Sequence, residues 1–164
     1  MNGLHKVYLL TGSNIGDRKK NLDLAKEKIR KAIGAVEAQS KIYETQPWGL
    51  ADQDDFLNQA LEVRTPLTPR EVLKQAKKIE EEMGRVKSEK WVARLIDIDL
   101  IFFDEMVLQE DGLVLPHPHF HERNFALVPV MELVPEMLHP VLHQTVEDLY
   151  WDSKDDLDVS VFEG

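Results

Sequence analysis

The chain has 164 residues, no cysteine, and 30 acidic against 20 basic side chains, for a formal net charge of −10. These figures exclude a disulfide framework and thiolate metal sites, and they argue against non-specific nucleic-acid binding, where a basic face is the expected footprint. The start, MNGLHKVYLL, holds too short an apolar run for a signal peptide, and no segment reaches transmembrane length, so a soluble cytoplasmic protein with no membrane partner is expected.

Val7 to Leu10 is a short apolar run ending in TGSN, Thr11 to Asn14, a first strand that feeds a turn. From Asp17 onward Leu22, Ala25, Ile29, Ala32 and Ile33 recur at helical spacing, and Gly34 supplies the stop. Val36, Ala38, Ser40 and Ile42 alternate with polar residues up to YETQPWG, and Phe56 to Arg64 is a further extended segment after an acidic loop. The second helix is the best specified element. Thr68 is its N-cap, Pro69 its first residue, Glu71 completes a capping box, and Val72, Leu73, Ala76, Ile79 and Met83 form its apolar stripe before Gly84.

A basic stretch follows, with Arg85, Lys87, Lys90 and Arg94 against Glu89, and leads straight into RLIDIDLIFF. Strand alternation puts Asp97 and Asp99 on one face of that segment and Ile96, Ile98, Leu100 and Phe102 on the other. DEM is a turn into Val107 and Leu108, Arg123 to Leu133 reads as a third helix, and Val146 to Trp151 as a short last one. The order predicts an α+β, ferredoxin-like βαββαβ fold: an antiparallel sheet with two helices on one face, additional C-terminal helical elements, and the other face free for a site. A single domain over residues 1–151 is expected. Residues 152–164 hold five acids against Lys154 and read as a solvated extension whose composition is compatible with disorder.

Two carboxylates on one strand face need a reason. At roughly 5 Å and an effective dielectric near 20 they repel by about 3 kcal/mol, so a cation between them is expected. A D-x-D pair in isolation is more often salt-bridged to nearby Arg or Lys, but here a basic segment adjoins it. Mg²⁺ takes one or two carboxylates and leaves its other positions to water and phosphates. The pair therefore suits a metal–nucleotide site in which Arg85 and Arg94 neutralise phosphate oxygens. TGSNIGD lacks the spacing of a phosphate-binding P-loop. The histidines of LPHPHFHERNF stand at every second position, but two prolines make the segment an extended loop, and zinc is a minor reading beside phosphate contacts from His117 and Arg123. Trp48, Phe56 and Phe125 are individually better read as core than as ligand contacts, while Asn58 points away from Leu57, Leu61 and Val63 and could read a heterocycle's edge.

Taken together, GSN at 12–14, YETQPWG at 43–49, FLNQALEV at 56–63, IEEEMGR at 79–85, RLIDIDL at 94–100 and LPHPHFHERNFALVPV at 115–130 resemble the 6-hydroxymethyl-7,8-dihydropterin pyrophosphokinase family. The resemblance spans Val7 to Leu149. It implies transfer of the β,γ-diphosphate of ATP to the pterin hydroxymethyl oxygen, with AMP as the other product. It makes Asp97 and Asp99 ligands of two Mg²⁺ ions, and Arg85 and Arg94 the loop arginines that engage the phosphates. Lys77, Glu80, His117 and Arg123 match the nucleotide side. Phe56 and Phe125 match aromatic positions that sandwich the pterin, Thr45, Asn58 and Trp48 those that read its edge, and Trp91 one that closes the site. Lys77 stands where some members have glutamine, Val92 and Ala93 replace a frequent Gly-Pro, and His119 replaces a frequent arginine. ATP and a reduced pterin are the expected partners of a monomer. Two rivals remain: a palm-like nucleotidyl-transferring domain, which also carries paired aspartates on such a sheet, and a non-catalytic module that binds a metabolite.

Overall fold

In chain order β1 (His5–Ser13) runs into α1 (Arg18–Ala32), then β2 (Ala35–Gln39), β3 (Tyr43–Thr45), β4 (Phe56–Thr65), α2 (Pro69–Glu82) and β5 (Asp97–Phe103). This computed structural model describes residues 3–46, 55–84 and 95–164. A small hairpin, β6 (Leu108–Glu110) and β7 (Leu113–Leu115), follows, then α3 (Asn124–Leu133), α4 (Val146–Asp152) and β8 (Val159–Val161).

The helices begin where the sequence supplies acceptors. Asp17 caps α1 by accepting from the Lys20 N–H, and Thr68 and Glu71 close a reciprocal capping box on α2. Both helices bury their stripes, Leu22, Ala25 and Ile29 from one and Val72, Ala76 and Ile79 from the other, against Val7, Leu9, Leu57, Leu61, Val63, Ile98 and Leu100 of the sheet. Ala32, expected in that stripe, is exposed.

The strands run β5-β1-β4-β3-β8, with β2 pairing β4 as well, and all pairings are antiparallel. This is the ferredoxin-like order, with its second strand split in two. Ser40 bridges the split: its N–H donates to the Ala60 carbonyl at 2.9 Å and its hydroxyl accepts from the Ala60 N–H at 2.9 Å.

Three expectations are corrected. An extra residue, Ile101, interrupts the pairing of β5 with β1, so Phe102 faces the same side as Ile101, away from Ile98 and Leu100. A bulge reverses alternation beyond itself, which a period-two reading cannot anticipate. The face expected to be free is half covered: Ala126, Leu127 and Val130 of α3 and Val146 and Leu149 of α4 pack on Tyr8, Leu10, Ala60 and Phe102. The acidic end of the chain does not simply trail into solvent, because β8 adds to the sheet with Thr45 opposite Val159 and Tyr43 opposite Val161. Its alternate side chains are apolar, and the β3 edge offers unpaired backbone groups that a strand can satisfy.

Candidate active site

α3 and α4 stop short of one end of the sheet, and a cavity of about 300 Å³ opens there. Leu10 and Gly12 of β1, Asn58 of β4, and Asp97 and Asp99 of β5 form its floor, since all lie on the strand face that α3 covers lower down. Thr45, Phe56, Arg123, Phe125 and Leu157 form its walls. The Asn58 amide nitrogen donates to the Thr11 carbonyl at 3.2 Å, while its Oδ1 and the Thr45 hydroxyl, both buried, have no hydrogen-bond partner among the described residues. Buried polar atoms of this kind await a ligand or water. Gly12 makes the arrangement possible, because a Cβ there would stand 2.5 Å from the Asn58 amide nitrogen.

On the other side of β5 lies a second cavity of about 340 Å³, lined by Lys77 and Glu80 of α2, Ile98 and Asp99 of β5, the β6–β7 turn, His117 and Pro118. Asp99 borders both spaces. The edge of β5 is tied down between them: the Glu80 carboxylate accepts from the Ile98 N–H at 2.8 Å, and the His117 N–H donates to the Ile101 carbonyl at 3.0 Å. These contacts fix the strand that carries both aspartates.

His117 is kept neutral. Burial first, and then the nearby charges of Arg123 and His119, push its pKa down to about 4. Its Nδ1 accepts from the His119 N–H at 3.2 Å, so the proton rests on Nε2, which can donate to a ligand oxygen. His139, buried beneath Phe102, is likewise held down to about 4, mainly by desolvation, and its Nδ1 accepts from the Val141 and Leu142 N–H groups. That role is structural. Among the described residues no group of three or more His, Cys, Asp or Glu could hold a metal ion, so the closely spaced histidines form no zinc site there.

Residues 8–135 match the family model of 7,8-dihydro-6-hydroxymethylpterin-pyrophosphokinase. The chain belongs to this family. It is 37% identical over 142 residues to a 2-amino-4-hydroxy-6-hydroxymethyldihydropteridine pyrophosphokinase of Aquifex aeolicus, covering 87% of this chain and 88% of the relative. A pyrophosphokinase of the same name from Methylorubrum extorquens is 42% identical over 134 residues, covering 81% and 85%. A folic acid synthesis protein of Dictyostelium discoideum is 38% identical over 143 residues, which are 87% of this chain but 22% of that protein. The crystal structure of wild-type Plasmodium falciparum HPPK-DHPS shares the fold, with a TM-score of 0.74 at 18% identity over 90% of this chain and 44% of that one.

Of the family positions expected from sequence, the first cavity gathers Thr45, Phe56, Asn58 and Phe125 with the two aspartates. The second gathers Lys77, Glu80 and His117. Arg123, expected with the nucleotide group, lines the first cavity, its guanidinium 5.8 Å from the centre of the Phe125 ring. Trp48, Arg85, Trp91 and Arg94 lie outside the described residues. Sequence reasoning overlooked Gly12 as a floor residue, Leu157 as a wall and the β6–β7 hairpin as a border of the second cavity. The hairpin did carry a signal, the Asp111-Gly112 pair between apolar residues, and Gly112 has the positive φ of 74° that such a turn demands.

Proposed function

We propose that the chain transfers the β,γ-diphosphate of ATP to the hydroxymethyl oxygen of 6-hydroxymethyl-7,8-dihydropterin, releasing AMP, a step of folate biosynthesis. The observation that carries the reading is that Asp99 borders both cavities, so groups bound in the two spaces meet at one carboxylate. The pterin takes the first cavity, between Phe56 and Phe125, with its polar edge on Asn58 and Thr45. Their unpartnered oxygens are acceptors suited to the amino and ring N–H groups of such a heterocycle. ATP takes the second cavity, with Lys77 and the His117 Nε2–H as donors to it and Glu80 bracing the strand. Arg85 and Arg94 complete the phosphate contacts, and Trp48 and Trp91 the pterin side.

The donor set at the junction fits Mg²⁺. Two carboxylates on one strand face, with no third acidic or histidine ligand in a cluster among the described residues, match a cation that keeps most positions for water and phosphate oxygens. Asp97 and Asp99 would hold it, and the family pattern supports two ions. When bound, Mg²⁺ neutralises charge on the phosphates and acidifies a coordinated hydroxyl. The protein's own part is positioning: the aromatic pair and Asn58 orient the hydroxymethyl group, and the two cavities set acceptor and donor on opposite sides of Asp99. In the reaction a bond forms between the hydroxymethyl oxygen and the β-phosphorus, the hydroxyl proton is released to water, the bond from that phosphorus to the bridging oxygen of the α-phosphate breaks, and AMP departs.

We take the enzyme to act as a monomer. No helix among the described residues is long and apolar enough to cross a membrane. The cytoplasmic location we propose rests instead on the ATP-dependent biosynthetic activity.

The test is to incubate the protein with ATP, Mg²⁺ and the reduced pterin and to separate the nucleotides. AMP that forms only with the pterin, and stops when EDTA removes the metal, is the expected result. ADP in its place would mean transfer of a single phosphoryl group, and no turnover would favour a binding module.

A further inference from the structure

Leu157 enters the first cavity from a part of the chain that lies beyond the family-model match at residues 8–135. It is half-buried and shares the cavity with Phe56 and Phe125. We infer that Leu157 is a specificity-determining wall of the pterin pocket and that Asp155 is the residue that positions it. The inference rests on the pterin reading of that cavity.

Asp155 uses both carboxylate oxygens. Oδ1 accepts from the Leu157 N–H at 3.1 Å, and Oδ2 accepts from the Asn124 N–H at 2.9 Å, at the start of α3. Its carbonyl accepts from the Asn124 side-chain amide at 3.1 Å, and its N–H donates to the Ser153 hydroxyl at 3.2 Å. One side chain thus fixes two pocket walls in relation to each other, Leu157 directly and Phe125 through the residue before it. Arg123, the N-cap of α3, makes no side-chain cap bond, so the carboxylate from the end of the chain takes that place.

Beyond Leu157 the chain is anchored again. Val159 pairs with Thr45, the Phe162 N–H donates to the Ile42 carbonyl at 2.8 Å, and the Arg18 guanidinium lies 5.5 Å from the centre of the Phe162 ring. Leu157 is therefore held between two fixed points, with its side chain against the cavity. An aliphatic wall excludes water and offers no hydrogen bond. It selects a heterocycle that presents an apolar edge or face there, while Asn58 and Thr45 select the polar edge elsewhere in the same cavity.

The test uses the full chain and measures KM for pterin and for ATP, kcat, and the thermal midpoint. Leu157→Ala should raise the pterin KM about fivefold, Leu157→Trp, which fills the cavity, more than tenfold, and both should leave the ATP KM within about twofold. Leu157→Met should restore the parent value, and Asp155→Asn should raise the pterin KM more than it lowers kcat. If the unaltered chain forms no pterin-dependent AMP, the functional reading falls and this inference with it. If AMP forms but the pterin KM does not move in Leu157→Ala and Leu157→Trp, this inference alone is overturned. A parallel rise of both KM values, or a change confined to the thermal midpoint, overturns it as well, because the segment would then only brace the fold.

Discussion

Gly12 shows how one missing side chain shapes the pocket. It lies within β1 opposite Asn58, and a methyl group there would meet the Asn58 amide nitrogen at 2.5 Å. Asn58 is short and already bonded to the Thr11 carbonyl, so it could yield only by rotating its amide out of place. Gly12→Ala should therefore cost about 1–3 kcal/mol of stability through overpacking and raise the pterin KM at least tenfold while the ATP KM changes little. Thermal melts beside separate titrations of the two substrates check this, and an unchanged pterin KM would remove Asn58 from the substrate contacts. Asn58 itself was legible from strand alternation, whereas Gly12 was hidden inside TGSN, where glycine and serine suggest a turn. The backbone pairs with β4 through Ser13 instead.

At the scale of elements, α2 and β5 act as a unit. The Glu80 carboxylate is buried and takes the Ile98 N–H, which lies between the two aspartates on the strand. Glu80→Ala would leave that N–H unpaired in the interior and should cost about 2 kcal/mol, a fall of about 4–8 °C in thermal midpoint for a domain of this size. Glu80→Gln keeps an acceptor oxygen and should lose less than about 1 kcal/mol. Melting curves of the two variants decide it, and equal losses would mean that the charge of Glu80, not its bond to Ile98, stabilises the pair of elements. Elements with a strong period or cap, such as α2 with its Thr68–Glu71 box, were fully legible. Those set by tertiary pairing were not. Leu157, Val159 and Val161 do alternate, but the intervening Asp158 and the other acids of the segment mask a strand that exists only because the β3 edge is there to receive it. The bulge at Ile101 leaves no mark in a uniformly apolar run.

For the whole molecule, a net charge of −10 makes the binding of an anionic nucleotide a matter of local arrangement. The two cavities divide the candidate residues into two groups, Thr45, Phe56, Asn58 and Phe125 on one side and Lys77, Glu80 and His117 on the other, and β5 stands between them. Sequence spacing could name these residues but could not place Arg123 beside the first cavity, because the start of α3 is held by a contact with Asp155 from the far end of the chain, whose carboxylate accepts from the Asn124 N–H. A shared wall has a thermodynamic consequence. If the nucleotide with Mg²⁺ holds the Asp99 carboxylate in the geometry that the pterin site needs, it removes part of the ordering cost of binding the pterin, so each ligand should strengthen the other. Couplings of this kind amount to about 1–3 kcal/mol, and linkage requires the two factors to be equal. Calorimetric titration of the pterin with and without a non-hydrolysable ATP analogue and Mg²⁺ should give about a tenfold gain, and the reverse titration the same factor. Asp99→Asn should bring both factors close to one, whereas coupling that persists undiminished in that variant would show that the cavities communicate through some other part of β5.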